Sequence, residues 1–370
     1  MAGAHWSITG KCNMRCRHCY ISAPQAKFGE LSHDMCKDII RQLGEVGVRM
    51  ISLSGGEPLV RSDFLELVDA LTEQDIRISQ IYTNGLLVNA ALLDALEARG
   101  IRPEFVLSFD GVGWHDWLRG TEGAEKMATD AIRLLRGRDF PVSIESAFHR
   151  DSIGSMYETM MLLAELDVNR WKAADVINAG NWLNEDASLS LSPEELYAAW
   201  LELIPRYFEQ GAPLNMKLGG FFKCDKASKE YTIPLKRSGD ESDPVCPVTR
   251  NTLYIAADGK LLPCMPLAGL PFQEEMPSLN DMTIAQALSD SLYLERIKTP
   301  VSALMEHNPE CASCEHRKEC CGGCRAAALT VNGDNDYLGV VPETCAFFKD
   351  GWEDRIHKVA KAAGGVCNFS

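Results

Sequence analysis

The sequence has no run approaching eighteen consecutive apolar residues, which excludes a membrane-spanning helix. It has no basic excess either. Lys and Arg number 37 against 52 Asp and Glu, for a formal charge of −15. A protein that tracks phosphates or docks on anionic lipid needs clustered cations, so neither nucleic acid nor a membrane is an expected partner. No basic segment followed by an apolar run opens the chain, so no secretory signal is expected, and the protein is placed in the cytoplasm, where thiols stay reduced. No internal repeat or low-complexity tract stands out. No cysteine falls between Cys36 and Cys224.

Cysteines are nevertheless abundant outside that gap. There are fourteen, four in the first forty residues and ten from Cys224 onward. In a reducing compartment this number points to metal or cluster ligation rather than a disulfide framework. A cysteine-free middle between cysteine-rich ends suggests a catalytic body with a cluster-bearing module behind it.

The front half alternates short apolar runs with amphipathic ones. Strands are expected at His5 to Thr9, Met50 to Ser54, Ile76 to Tyr82, Phe105 to Phe109, Val142 to Phe148 and Trp171 to Ile177. Helical patterns lie between them, at Ser32 to Val46 with a Ser N-cap, Arg61 to Glu73 and Ala90 to Ala98. Six such repeats read as a parallel α/β structure, barrel-like, with its ligand site at the C-terminal ends of the strands. Ser192-Pro-Glu-Glu opens a further helix to about Gln210. Beyond it, residues 211–280 are rich in Gly, Pro and short polar runs, which sets a domain boundary near Gly211.

Cys12-x3-Cys16-x2-Cys19 directly follows the first strand. Three thiolates can wrap one face of an iron–sulfur cubane and leave one iron open. Half a zinc site, with His18 or a distant residue as fourth ligand, is the alternative on spacing alone. Downstream, Ser54-Gly55-Gly56-Glu57-Pro58 ends the second strand, Thr83-Asn84-Gly85 the third, and Ser108-Phe-Asp110-Gly111 the fourth, followed by His115 to Arg119. Alone, each is a strand-to-helix turn; His115 reads as structural.

In this order, with Tyr20 after the third cysteine, the motifs resemble the signature of radical S-adenosylmethionine (radical SAM) enzymes. The resemblance implies a partial (β/α)6 TIM-like barrel over residues 1–210. It implies a [4Fe-4S] cluster on Cys12, Cys16 and Cys19 that binds S-adenosylmethionine, with His18, Gly55, Gly56, Glu57, Ser108 and Arg119 as cofactor contacts. Cleavage of that cofactor would release a 5′-deoxyadenosyl radical.

The rear part carries Cys246-x12-Gly259-x4-Cys264, then Cys311-x2-Cys314-x5-Cys320-x3-Cys324, then Cys345. Asp258-Gly259 between apolar runs reads as a hairpin returning Cys264 towards Cys246. The spacings are similar to a SPASM extension, here 211–370 with a C-terminal helix, which implies two auxiliary [4Fe-4S] clusters. By that resemblance Cys311, Cys314, Cys320 and Cys345 hold one, and Cys246, Cys264 and Cys324 the other. Residues 247–263 contain no cysteine, so either Cys224 supplies a fourth ligand or one iron stays open to substrate. Cys36, Cys321 and Cys367 read as packed or incidental, Cys367 close to a mobile C-terminus.

The SPASM resemblance implies hydrogen abstraction followed by oxidative modification of a ribosomal peptide or protein: crosslinking, dehydrogenation or epimerisation. Met265 stands where the sulfatase-activating branch carries an Asp, and a thioether cannot be a general base. Cys12 comes too early for a leader-binding domain, so a separate leader-binding protein is an expected partner, beside an electron donor such as flavodoxin or ferredoxin. A small-molecule substrate such as an aminoglycoside or sugar, and an iron–sulfur electron-transfer protein, are the alternatives. Glu145, His149 and Asp175, near strand ends, are the candidate acid–base groups.

Overall fold

The computed structural model describes residues 3–23, 29–234, 240–246, 249, 251–332 and 336–368. Parts of the Gly- and Pro-rich stretch beyond Gly211, residues 235–239, 247–248 and 250, thus lie outside the described residues.

Six strands alternate with helices along the front half: β1 (Gly3–Ser7), β2 (Met50–Ser54), β3 (Arg77–Thr83), β4 (Glu104–Ser108), β5 (Val142–Phe148) and β6 (Arg170–Asp175). All are parallel neighbours in chain order. The strands come where the apolar runs predict them, with the first shifted to Gly3–Ser7. Period-two alternation sorts the side chains. Ile51 and Leu53 of β2, Ile144 of β5 and Trp171 of β6 are fully buried. Ser52, Gln80, Tyr82, Glu145 and Lys172 alternate with such residues on the opposite, inner face.

The intervening helices are α1 (His33–Glu45), α2 (Phe64–Glu73), α3 (Ala90–Ala98), α4 (His115–Arg119), α5 (Ala124–Gly137), α6 (Met156–Glu165) and α7 (Pro193–Glu209). In α1, Cys36, Ile39, Ile40 and Leu43 recur at helical spacing and are buried. Ser32 caps its first turn by accepting from the Met35 N–H. Helix α2 starts at Phe64 rather than Arg61, because Pro58–Val60 forms a separate 3-10 turn. Ser192 and Glu195 close a capping box on α7, with Pro193 in the first turn.

The stretch after Gly211 continues the same sheet. Strand β7 (Asn215–Leu218) pairs parallel with β6, followed by antiparallel β8 (Phe222–Cys224) and β9 (Glu230–Thr232). Strand β10 (Thr252–Ile255) pairs parallel with β1 on the other edge and turns through Gly259, at φ +85°, into β11 (Leu261–Leu262). That positive φ is the hairpin geometry Asp-Gly predicts. Strand β12 (Val366–Cys367) pairs with β9, so Cys367 is tied into the sheet rather than lying in a loose terminus. The result is one open, mainly parallel twelve-stranded sheet. Short helices between Phe272 and Asn332, and the helices Pro342–Lys349 and Trp352–Ala362, form the cysteine-rich rear.

Candidate active site

The loop after β1 carries Cys12, Cys16 and Cys19 and is gripped by main chain on several sides. The Gly56 N–H donates to Thr9 O at 2.8 Å, and the Glu57 N–H to Lys11 O at 2.9 Å. A Cβ on Gly56 would stand 2.4 Å from Lys11 O. The paired glycines at the end of β2 therefore let the cysteine loop lie against that strand. Across the loop, Gly180 has φ +60°, and a Cβ there would meet the Cys19 and Tyr20 carbonyls at 2.4 Å. The Asn181 N–H donates to Cys19 O, and its Nδ2 to Cys16 O, both at 3.0 Å. Asn84 Nδ2 donates to Asn13 Oδ1 at 2.7 Å.

The sulfurs receive N–H donors: Met14 N on Cys12 at 3.4 Å, Ala23 N on Cys19 at 3.3 Å, and Arg119 Nη1 on Cys16 at 3.6 Å. Burial, opposed in part by the Met14 N–H, pushes the Cys12 thiol up to about 11. A bound metal removes such a proton outright. These three cysteines, His18, Gly55, Gly56, Ser108 and Arg119 all line one cavity of about 280 Å3 at the C-terminal ends of the strands. Arg119 is anchored there, its Nε donating to Asp110 Oδ2 at 2.6 Å. Burial lowers the His18 imidazole to about 4, and Arg119 adds to the shift.

Two acid–base candidates line the same cavity. Glu145 pairs with Lys172 at 3.2 Å across β5 and β6. Asp175, at the end of β6, has its carboxyl raised by burial. The third does not. His149 is packed among Trp114, Trp117 and Trp182, 1% exposed, with both ring nitrogens unbonded. It follows β5 and is not among the residues that line the cavity, and its surroundings are those of a packed side chain.

The carboxyl of Glu57 is occupied within the protein, which leaves its main chain for the cofactor contact that the motif implies. Fully buried, the carboxyl accepts from Leu59 N at 3.1 Å, Thr83 Oγ1 at 2.9 Å and Asn84 N at 2.8 Å. It braces the ends of β2 and β3 and so positions the loop bearing Asn84. His115 is buried, stacked on Phe109, and accepts the Asp110 N–H, a structural role as expected.

The rear cysteines gather as two groups. Cys311, Cys314, Cys320 and Cys345 line a second, smaller cavity. Cys264 lies in the electrostatic field of Cys324 and Cys246, and its thiol is raised mainly by burial. Cys224 stands apart from both. Strand alternation turns it to the helical face, where it meets Tyr207 and lies 3.6 Å from Asp225 O. It is therefore a packed residue and not a fourth ligand. Cys36 and Cys321 are likewise buried. Met265, directly after Cys264, lines the main cavity.

Among the described residues, no group of three or more His, Cys, Asp or Glu could take a single metal ion directly. Thiolates on one zinc sit about 3.8 Å apart, from a Zn–S bond of about 2.3 Å. The donor sets are all cysteine, three or four to a group, a chemistry that suits iron–sulfur clusters. Asn181 and Lys172 were not legible as site residues. Asn181 lies in a Gly-Asn turn and Lys172 in a strand, and neither position carries a motif.

The radical SAM superfamily profile matches residues 6–163. The AdoMet-dependent heme synthase of Methanosarcina barkeri is 27% identical over 344 residues, covering 89% of this chain and 92% of the synthase. The PqqA peptide cyclase of Bradyrhizobium diazoefficiens is 27% identical over 335 residues, covering 88% of this chain and 82% of the cyclase. Among solved structures, native anSMEcpe with bound AdoMet and Cp18Cys peptide superposes with a TM-score of 0.72 at 16% identity, covering 98% of each chain. That likeness extends the fold to the cysteine-rich rear. No helix among the described residues is long and apolar enough to cross a membrane.

Proposed function

The chain is an enzyme that carries a radical SAM domain, and we propose that it cleaves S-adenosylmethionine reductively to begin oxidative modification of a peptide. One observation carries this reading. Cys12, Cys16 and Cys19 share a single cavity with Gly55, Gly56, Ser108 and Arg119. When bound on those thiolates, a four-iron cluster supplies the electron that releases a 5′-deoxyadenosyl radical from the sulfonium.

The chain's own residues bind, orient and shield. Arg119, held by Asp110, offers a fixed guanidinium suited to a carboxylate, and Ser108 offers a hydroxyl suited to a ribose. Tyr20, Ile21 and Met265 add apolar wall and keep water from a reactive carbon. Cys311, Cys314, Cys320 and Cys345, and Cys246, Cys264 and Cys324, suit two auxiliary clusters.

A peptide substrate is supported by the peptide cyclases among the relatives. Met265 facing the cavity disfavours a base-assisted Ser or Cys oxidation at that point. A second reading, a small tetrapyrrole-type substrate, is supported by heme synthases that align over nearly their whole length.

The test is anaerobic reconstitution, iron analysis, and dithionite reduction with S-adenosylmethionine. About twelve irons per chain and release of 5′-deoxyadenosine are expected. A cluster-loaded preparation that yields no 5′-deoxyadenosine rejects the reading. Mass spectrometry of co-expressed precursor peptides then decides between peptide and small molecule.

A further inference from the structure

Five strands each contribute one residue to a single transverse row. Ser108 registers beside Glu145, Glu145 beside Lys172, Lys172 beside Lys217, and Lys217 beside Lys223. Residues paired across a sheet present their side chains on the same face. Ser108, Glu145 and Lys172 line the barrel cavity, and the row continues beyond it on the same face of the sheet as two more lysines, Lys217 half-buried and Lys223 exposed. With strands about 4.8 Å apart, three amines cover about 10 Å.

The charges along this row do not balance. Arg170, one pleat from Lys172, is met by Glu104 at 3.4 Å, and Lys172 by Glu145 at 3.2 Å. Among the described residues, no ion pair engages Lys217 or Lys223. Burial lowers the Lys217 ammonium, Lys172, Arg170 and Lys223 lower it further, and Glu145 alone opposes them. In a chain of net charge −15, such a row is not a by-product of general basicity. Adjacent like charges on a sheet repel, and an anion laid across them relieves that repulsion.

We propose that Lys172, Lys217 and Lys223 form a carboxylate-binding strip that runs from the cavity at Lys172 to the exposed Lys223 and orients an acidic substrate entering the cavity. The strip deepens the reading above and rests on it: the carboxylates belong to an acidic peptide segment or to the acid substituents of a tetrapyrrole. Each lysine contributes a charge-assisted contact to one oxygen, and the strand spacing sets the distance between them.

The test uses the anaerobically reconstituted full chain and three probes: hexaglutamate, hexaglutamine and coproporphyrin. Binding is followed by calorimetry for wild type, Lys217→Gln, Lys217→Gln/Lys223→Gln and Lys217→Arg. We expect hexaglutamate or coproporphyrin to bind wild type and hexaglutamine not to. Affinity should fall about 10-fold in the single Gln variant and further in the double, and Lys217→Arg should restore it. A loss confined to hexaglutamate assigns the strip to a peptide, and one confined to coproporphyrin to a tetrapyrrole. Equal affinities for wild type, Lys217→Gln and Lys217→Arg, or hexaglutamine binding as well as hexaglutamate, overturn the proposal. Dithionite-driven 5′-deoxyadenosine release from the same wild-type preparation tests the radical reading separately.

Discussion

Arg119 and Asp110 are locked together inside the barrel, Nε to Oδ2 at 2.6 Å, and the same guanidinium reaches the Cys16 sulfur at 3.6 Å. Asp110 Oδ1 also accepts the Ala147 N–H at 3.0 Å. Arg119 opposes the desolvation of this carboxyl most strongly and holds it well below the usual carboxylate range. The pair thus ties β5 and α4 to the first cysteine loop.

Removing one partner leaves a buried charge unmatched, which costs about 3–5 kcal/mol. Asp110→Asn is expected to lower the thermal midpoint and to reduce 5′-deoxyadenosine release, since Arg119 loses its anchor. Because the folded value is depressed, the stabilisation is full above about pH 4 and fades on acidification below it. A variant that melts and turns over like wild type at neutral pH contradicts this.

Gly56→Ala would place a methyl 2.4 Å from Lys11 O, a backbone atom that cannot swing aside. Either β2 or the cysteine loop must shift. Iron content should drop by about one four-iron cluster, with 5′-deoxyadenosine release lost. Full iron loading in this variant would mean that the loop tolerates the displacement.

His149 sits among three tryptophans with no hydrogen bond on its ring. Burying unsatisfied polar atoms costs about 1–3 kcal/mol. His149→Phe should therefore raise the melting temperature while S-adenosylmethionine cleavage continues. Loss of cleavage without loss of stability would return His149 to a chemical role.

Asp175 on β6 and Glu343 on the helix Pro342–Lys349 share a buried region. Burial raises both carboxyls, and Asp175 raises Glu343 further. An unfolded chain ionises both near pH 4, whereas the folded chain retains protons to higher pH. Stability is therefore greatest below about pH 4 for this pair and declines as pH rises through the elevated values. Asp175→Asn should flatten that decline in melting curves taken between about pH 5 and 8; an unchanged slope argues against the coupling.

Cys224→Ala should keep its full iron complement, because the sulfur packs on Tyr207 at the helical face. Iron quantitation beside Cys264→Ala, expected to lose iron, checks both assignments in one experiment.

Local chemistry was legible wherever it was written in adjacent residues. Ser32 before α1, Ser192-Pro193 before α7 and Asp258-Gly259 in the β10–β11 hairpin act through their own backbone neighbours, so spacing sufficed to place them. The same holds for Cys12, Cys16 and Cys19. The surroundings of the Glu57 and His149 side chains were not legible, because a side chain near a strand end points into the cavity or into the packing, and residues from other elements decide which. Asn181 escaped notice because its partners, the Cys16 and Cys19 carbonyls, lie some 160 positions earlier.

Sequence by itself determined the alternation of strands and helices and the run of cysteines after the first strand, since each depends on period, spacing and residue type, whereas the grouping of the rear cysteines was implied only by the family resemblance. Tertiary structure decided which strands neighbour one another, and with that everything read across the sheet. Lys172, Lys217 and Lys223 form a row only because β6, β7 and β8 register them side by side. Cys224 leaves the ligand set because strand pleating turns it to the opposite face. Cross-strand register arises from the packing of the whole sheet, and no single segment encodes it.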